Sequence, residues 1–446
     1  MDFQSFNFHP TIAAGVKAAG YTQPTPIQEQ AMPPVMSGLD VMGLAQTGTG
    51  KTAAFALPIL NRLIRGEKGQ LRALVIAPTR ELAEQIHESI KQLAHLTRLK
   101  SITIYGGVPV NPQIEKLKRG VDIVVACPGR LLDHINQGHI DLTRIEVLVL
   151  DEADQMFDMG FLPDIRRILK HLPVKRQTLL FSATMPDDIK RLASDILIQP
   201  VTVQVGNTAP PVTVTHALYP VGQHLKTALL LDLLKHTDTE SVLVFTKTKH
   251  RAKRLGEQLE KNGYKVASLQ GNLSQNRRQA ALDGFRDGTY QILVATDIAA
   301  RGIDVSQVSH VINYDIPDTP EAYIHRIGRT GRAARSGDAF TLVTSEDTIM
   351  VRTIEKKLSS TLERRTVEGF DYSIAAPKKD SEFVRDPRPP RGVGKQGSKK
   401  HDSSSGANTT HVKPKNDNKP KPKPAKPAHP SSAPQARHPQ HARRAS

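Results

Sequence analysis

Short runs rich in branched apolar residues recur along the chain, separated by longer stretches whose apolar positions return every three or four residues. LRALVIAP (71–78), SITIYGG (101–107), VDIVVACP (121–128), IEVLVLDEAD (145–154) and QTLLFSAT (177–184) are the first set of such runs. Runs of this length and composition predict buried strands of a parallel sheet. Between them, ELAEQIHESIKQLAHL (81–96) and FLPDIRRILKHL (161–172) carry helical periodicity. Strand and helix in alternation predict an α/β sheet covered on both faces. The pattern then pauses around NTAPPVTV and a stretch ending YPVGQ, and restarts. TESVLVFTKTKH (239–250), YKVASLQG (264–271), YQILVATD (290–297), VSHVINYD (308–315) and DAFTLVTS (338–345) are the second set of strands, with RAKRLGEQLEKNG (251–263) as one of the helices between them. The expected organisation is a first domain over 1–205, a linker over 206–222, a second domain over 223–370 and a tail over 371–446.

The 446-residue length agrees with this division, because one hydrophobic core rarely serves so long a chain. The tail changes character. It is dense in Pro, Lys, Ser, His and Gln, with KPKPKPAKPAHP at 419–430, a composition that builds no core and predicts disorder. Net charge is +17, and residues 381–446 carry 15 Lys/Arg against 4 Asp/Glu. The folded part is therefore only mildly basic, and the excess sits in the tail, as expected for a polyanionic partner. Cys127 is the only cysteine, which excludes an intrachain disulfide and a cysteine zinc cluster and fits a reducing cytoplasm. The opening MDFQSFNFHP does not read as a signal peptide, and no stretch approaches 18 apolar residues, so no membrane partner is expected.

Against this frame, AQTGTGKT (45–52) stands out. It follows an apolar strand, DVMGLA, and precedes a helical run, TAAFALPILNRLI. This is the context of a phosphate-binding loop, with Ala45 in place of the usual first glycine. Gly48 and Gly50 let the backbone curl so that the N–H groups of the loop, through Gln46, Thr47 and Thr49, face phosphate oxygens. Lys51 is placed to reach the β- and γ-phosphates, and Thr52 to ligate Mg²⁺. Asp151 and Glu152 leave the sheet together at a strand end. Asp151 suits the water shell of the metal and Glu152 suits orienting and deprotonating an attacking water, while Asp154 suits pairing with neighbouring polar groups. Ser182 and Thr184, ending the next strand, are positioned to bond with these acids. In the second half, HRIGRTGR (325–332) spaces Arg329 and Arg332 so that one helical face could present both guanidinium groups to a γ-phosphate. His325 is expected to bridge to the acidic segment. Catalysis would then require the two halves to close on one nucleotide.

Taken together these segments resemble the DEAD-box RNA helicases, over about residues 3–350. The resemblance implies two tandem RecA-like P-loop domains with parallel sheets flanked by helices, followed by the disordered basic tail. It implies ATP and Mg²⁺ as cofactors. YTQPTPIQ (21–28) is similar to the adenine-reading motif, so that Gln28 reads the base edge, Tyr21 packs on the base and Phe3 is the upstream aromatic. APTREL (77–82), with Pro78, Thr79 and Arg80, the pair Gly106 and Gly107, and Pro128, Gly129 and Arg130 match RNA-backbone segments. In the second domain Thr246, Arg278, Thr296 and Arg301 match RNA-side or interdomain positions, and Gly302 and Asp304 match positions that approach the nucleotide. Cys127 stands where the family usually has threonine, which implies a weaker phosphate contact. The stretch FDMGFLPDIRRILKHLPVKRQTLLFSATMPDDIK is most similar to the bacterial RhlE-type branch. The implied activity is RNA-stimulated ATP hydrolysis with local, sequence-nonspecific unwinding of short duplexes and remodelling of RNA–protein complexes, by a monomer. The implied settings are ribosome assembly, RNA decay or cold adaptation. Two alternatives stay open: an ATP-switched RNA clamp or annealing chaperone, and a DNA helicase.

Overall fold

The computed structural model describes residues 2–46, 48–205, 214–237, 240–300, 308–330 and 337–376. Fourteen strands form two seven-stranded sheets among these residues. The first contains β1 (Val41–Leu44), β2 (Ala73–Ile76), β3 (Ser101–Ile104), β4 (Ile123–Ala126), β5 (Val147–Leu150), β6 (Gln177–Ser182) and β7 (Val201–Gln204) in the order β3-β4-β2-β5-β6-β1-β7. The second contains β8 (Val214–Pro220), β9 (Val242–Thr246), β10 (Val266–Leu269), β11 (Ile292–Thr296), β12 (His310–Asn313), β13 (Gly337–Val343) and β14 (Glu363–Arg364) in the order β10-β11-β9-β12-β13-β8-β14. Every pairing is parallel. The central strands β2, β4, β5, β6 and β9 are buried along their whole length, as their unbroken apolar runs require.

The two sheets repeat one topology, with β8 in the place of β1. The expected linker is corrected here: Val214–Pro220, inside 206–222, is an inner strand between β13 and β14. Its mixed sequence, VTHALYP after a proline pair, hid it. The short strands β7 and β14 carry no apolar run, since each is polar at its exposed positions. Contacts across the intervening cleft join both lobes into one unit, Met1–Lys378. The expectation of a disordered tail falls almost wholly on residues beyond 376, outside the described set.

The repeat shows why only one lobe holds a phosphate loop. The helices after β1 and β8, Lys51–Leu63 and Lys226–His236, both begin with Lys-Thr. In the first lobe the residue before the lysine is Gly50, at φ 96°. In the second it is Leu225, at φ −94°, and no nest of N–H groups can form there. Lys226 Nζ instead donates to the Tyr314 carbonyl (3.0 Å), and the Thr227 and Tyr314 hydroxyls bond to each other (2.9 Å).

Candidate active site

The loop between β1 and the helix Lys51–Leu63 is held from three sides. Ala45 N–H donates to the Ser182 carbonyl (3.0 Å), which fixes the loop to β6. Thr49 Oγ1 donates to the Gln46 carbonyl (2.8 Å). Gln28 Nε2 donates to the Gly50 carbonyl (3.1 Å), while its Oε1 accepts from Thr25 N–H (3.0 Å) in a capping box. A Cβ on Gly50 would lie 2.5 Å from Gln28 Nε2, so glycine is required there by contact as well as by φ. Gly48 likewise has positive φ (86°). Lys51 is buried and its Nζ donates to the Ala45 carbonyl at the mouth of the loop (2.8 Å). Phe3 packs edge-on against Tyr21, with ring centroids 5.7 Å apart, and burial raises the Tyr21 phenol pKa. Thr52 follows Lys51 in the first turn of its helix. Thr47 lies outside the described residues.

Asp151 and Glu152 follow β5 and are both buried. Burial pushes the Asp151 carboxyl up to about 7; Lys51 opposes this and Glu152 adds to it. A buried acid under such stress, close to a lysine, fits a cation: Asp151 and Thr52 are suited to hold Mg²⁺, which would restore the ionised form. Glu152 takes the left-handed conformation (φ 53°), uncommon for a side-chain-bearing residue. Asp154 turns away from this pair. Its Oδ2 accepts from Thr184 N–H (2.8 Å) and Thr184 Oγ1 (2.9 Å), its N–H donates to Ser182 Oγ (3.2 Å), and Ser182 Oγ donates to the Thr184 carbonyl (2.7 Å).

The second lobe meets this cluster through His325, whose Nε2 lies 3.9 Å from Asp154 Oδ2. Burial lowers the His325 pKa, with Asp154 opposing. The helix carrying it, Pro320–Ile327, is capped by Gly328, so Arg329 stands in the turn after the helix. This corrects the expectation of a helical setting for Arg329, because the glycine ends the helix before it. Arg329 is buried and lines the seam with His325; Arg332, Arg301, Gly302 and Asp304 lie outside the described residues.

An open cleft of about 840 Å³ is lined by residues of both lobes. Pro78, Thr79, Arg80, Gly106, Gly129 and Arg130 line it from the first lobe and Thr296 from the second. Arg130 Nη1 donates to the Val108 carbonyl (3.3 Å), and Cys127 heads the helix Pro128–Asn136 without a side-chain cap bond. Other candidates stand elsewhere. Arg278 also borders the cleft but is buried in an ion pair, Nε to Glu81 Oε1 (2.7 Å), with further bonds to the Gln270 and Ala299 carbonyls. Its charge joins the lobes, which is the interdomain one of the two settings its position implied. Thr246, at the end of β9, and Pro128 are buried and are not among the residues that line the cleft. Gly107 (φ 81°) makes room for Arg80: a Cβ there would lie 2.1 Å from the guanidinium.

Two further residues matter to this geometry. Glu81, inside the APTREL segment matched to RNA backbone, faces the other lobe and pairs with Arg278 there. Arg326, inside HRIGR, is buried; it binds Asp297 through Nε and Nη2 (both 2.6 Å), Asn313 Oδ1 (3.0 Å) and the Asp315 carbonyl (2.7 Å), and lies over the Phe245 ring. An arginine between two motif residues was the available signal.

Comparison with known proteins follows the same lines. The family description "DEAD/DEAH box helicase" matches residues 25–192, and "Helicase conserved C-terminal domain" matches residues 225–334. The DEAD-box ATP-dependent RNA helicase CshA of Bacillus subtilis is 44% identical over 373 residues, 83% of this chain and 75% of that protein. RhpA of Helicobacter pylori, a protein of the same description, is 44% identical over 362 residues, 81% of this chain and 73% of its own. Among solved structures, S. cerevisiae Dbp5 bound to RNA and ADP BeF3 aligns with TM-score 0.74 and 31% identity, over 82% of this chain and 95% of that one.

Proposed function

This chain belongs to the DEAD-box family of ATP-dependent RNA helicases, and from that premise we propose that closure of its two lobes over RNA switches on hydrolysis. The observation that carries this reading is the seam: His325 and Arg329 of the second lobe lie against the acidic segment of the first, in a lobe whose own phosphate loop is absent.

In this reading the loop 45–52 binds the triphosphate through backbone N–H groups and Lys51. Gln28, Tyr21 and Phe3 seat the base. Bound Mg²⁺, held through Thr52 and Asp151, would neutralise phosphate charge. Glu152 orients the attacking water and accepts its proton. Arg329, with Arg332, stabilises charge on the transferring phosphoryl group. Ser182 and Thr184 hold Asp154 in place, so that the acidic segment and the second lobe move together. Glycine and arginine groups in the cleft grip sugar and phosphate rather than bases, which supports sequence-nonspecific binding. Gly302, Asp304 and Arg301 are assigned by family resemblance alone. The basic tail adds an electrostatic hold that weakens with salt.

Within the family, residues 157–190 support an RhlE-type placement, while the relatives compared above carry the names CshA and RhpA. A monomer in the cytoplasm, working on pre-ribosomal particles or in RNA decay, is the setting that we favour. Among the described residues no helix is long and apolar enough to cross a membrane. Steady-state ATP hydrolysis with and without a short RNA duplex tests the central reading. The wild type should be stimulated by RNA and not by DNA of the same sequence; Glu152→Gln should bind RNA in the presence of ATP and turn over almost none. Equal, RNA-independent rates in both proteins would overturn it.

A further inference from the structure

Gln155 follows the acidic segment directly and is buried, with 4% of its surface exposed. Its Oε1 has no hydrogen-bond partner within the protein, and neither does the buried Nε2 of His325 from the opposite lobe. Both residues line one small pocket at the seam, of about 20 Å³ and partly open to solvent, together with Arg326, Arg329, Asp297 and Phe245. That volume accepts roughly one water molecule. Unpartnered buried polar atoms are costly, so two of them at one pocket from two lobes call for a shared partner.

We propose that Gln155 is a positioning residue: through one bound water, its amide oxygen and His325 Nε2 form the contact that seats the helix Pro320–Ile327, and with it Arg329, against the first lobe. The water accepts from His325 Nε2–H and donates to Gln155 Oε1. The Gln155 backbone N–H donates to Asp154 Oδ1 (3.0 Å), so the bridge continues into the bonds that Asp154 makes with Thr184. Gln155 touches neither nucleotide nor RNA in this arrangement. It acts only when the lobes are together. The inference rests on the closure reading above, and the two can fail separately.

The test uses the full chain with Gln155→Met, which keeps the volume and removes the acceptor, His325→Ala, and the double variant. RNA stimulation of the parent protein tests the closure reading by itself. For Gln155→Met the expected result is a roughly tenfold lower RNA-stimulated kcat, with basal turnover and the KM for ATP within about twofold of the parent, as one lost bridging bond predicts. The double variant should be no worse than His325→Ala alone, because both changes remove the same bridge. Stimulated turnover at the parent level in Gln155→Met, a parallel fall of basal and stimulated rates, or additive effects in the double variant would each overturn the proposal.

Discussion

The ion pair between Arg278 and Glu81 joins the lobes, and its removal should act on closure rather than on the stability of either lobe. The two side chains are 10% and 4% exposed and meet at 2.7 Å. Glu81→Gln keeps the volume and leaves a buried guanidinium without its counter-charge. Uncompensated buried charge costs about 3–5 kcal/mol, and retained bonds bring the expectation to the low end, about 3 kcal/mol. Those bonds are to the Gln270 and Ala299 carbonyls. At 1.36 kcal/mol per decade this is roughly a 100-fold shift against the closed form. The assay is the RNA concentration giving half-maximal ATP hydrolysis, paired with the thermal midpoint of the protein without ligands. The first should rise by about two orders of magnitude and the second should move little, because open lobes do not make the pair. An unchanged RNA requirement with a lowered thermal midpoint would refute the reasoning and make Glu81 a structural residue of the first lobe.

Further outcomes follow from the same geometry. Cys127 heads its helix without a cap bond, and its S–H is a weak donor to phosphate. Cys127→Thr should restore a cap worth about 1 kcal/mol and tighten RNA binding; a thermal midpoint and an RNA titration identical to the parent would count against this. The His325 pKa is lowered by burial, so the neutral ring is the form that fits the seam. Its contribution is therefore present above the ordinary histidine value of 6.5 and is lost as pH falls below it through the lowered pKa. RNA-stimulated turnover should decline on that acid side more steeply than basal turnover, and the difference should vanish in His325→Ala.

Much of this arrangement is legible in the chain because each motif follows a buried strand. The apolar runs fix the strands, and residues directly after them must emerge at the carboxyl edge of the sheet, where ligands bind in parallel α/β folds. Lys51, Asp151, Glu152 and Thr184 are found by that rule. The strand Val214–Pro220 is not, because its polar positions interrupt the run and the prolines before it suggest a linker. Contacts that join the lobes are harder still. Glu81 and Arg278 are 197 residues apart and nothing local marks them as a pair. Gln155 looks like one more polar residue on a short helix; only the packed seam shows its amide oxygen buried without a partner in the protein. Sequence therefore gives the chemistry that each lobe carries and leaves out the contacts formed when both lobes meet.

The account stands on Arg329 acting on a nucleotide bound by the other lobe. Arg329→Ala, assayed at saturating ATP with and without saturating RNA, tests this most directly. Loss of an arginine that stabilises the transferring phosphoryl group should lower the RNA-stimulated kcat by at least about 10³-fold, leaving basal turnover little changed and nucleotide-free RNA binding intact. A variant that keeps its full stimulated rate would contradict the account.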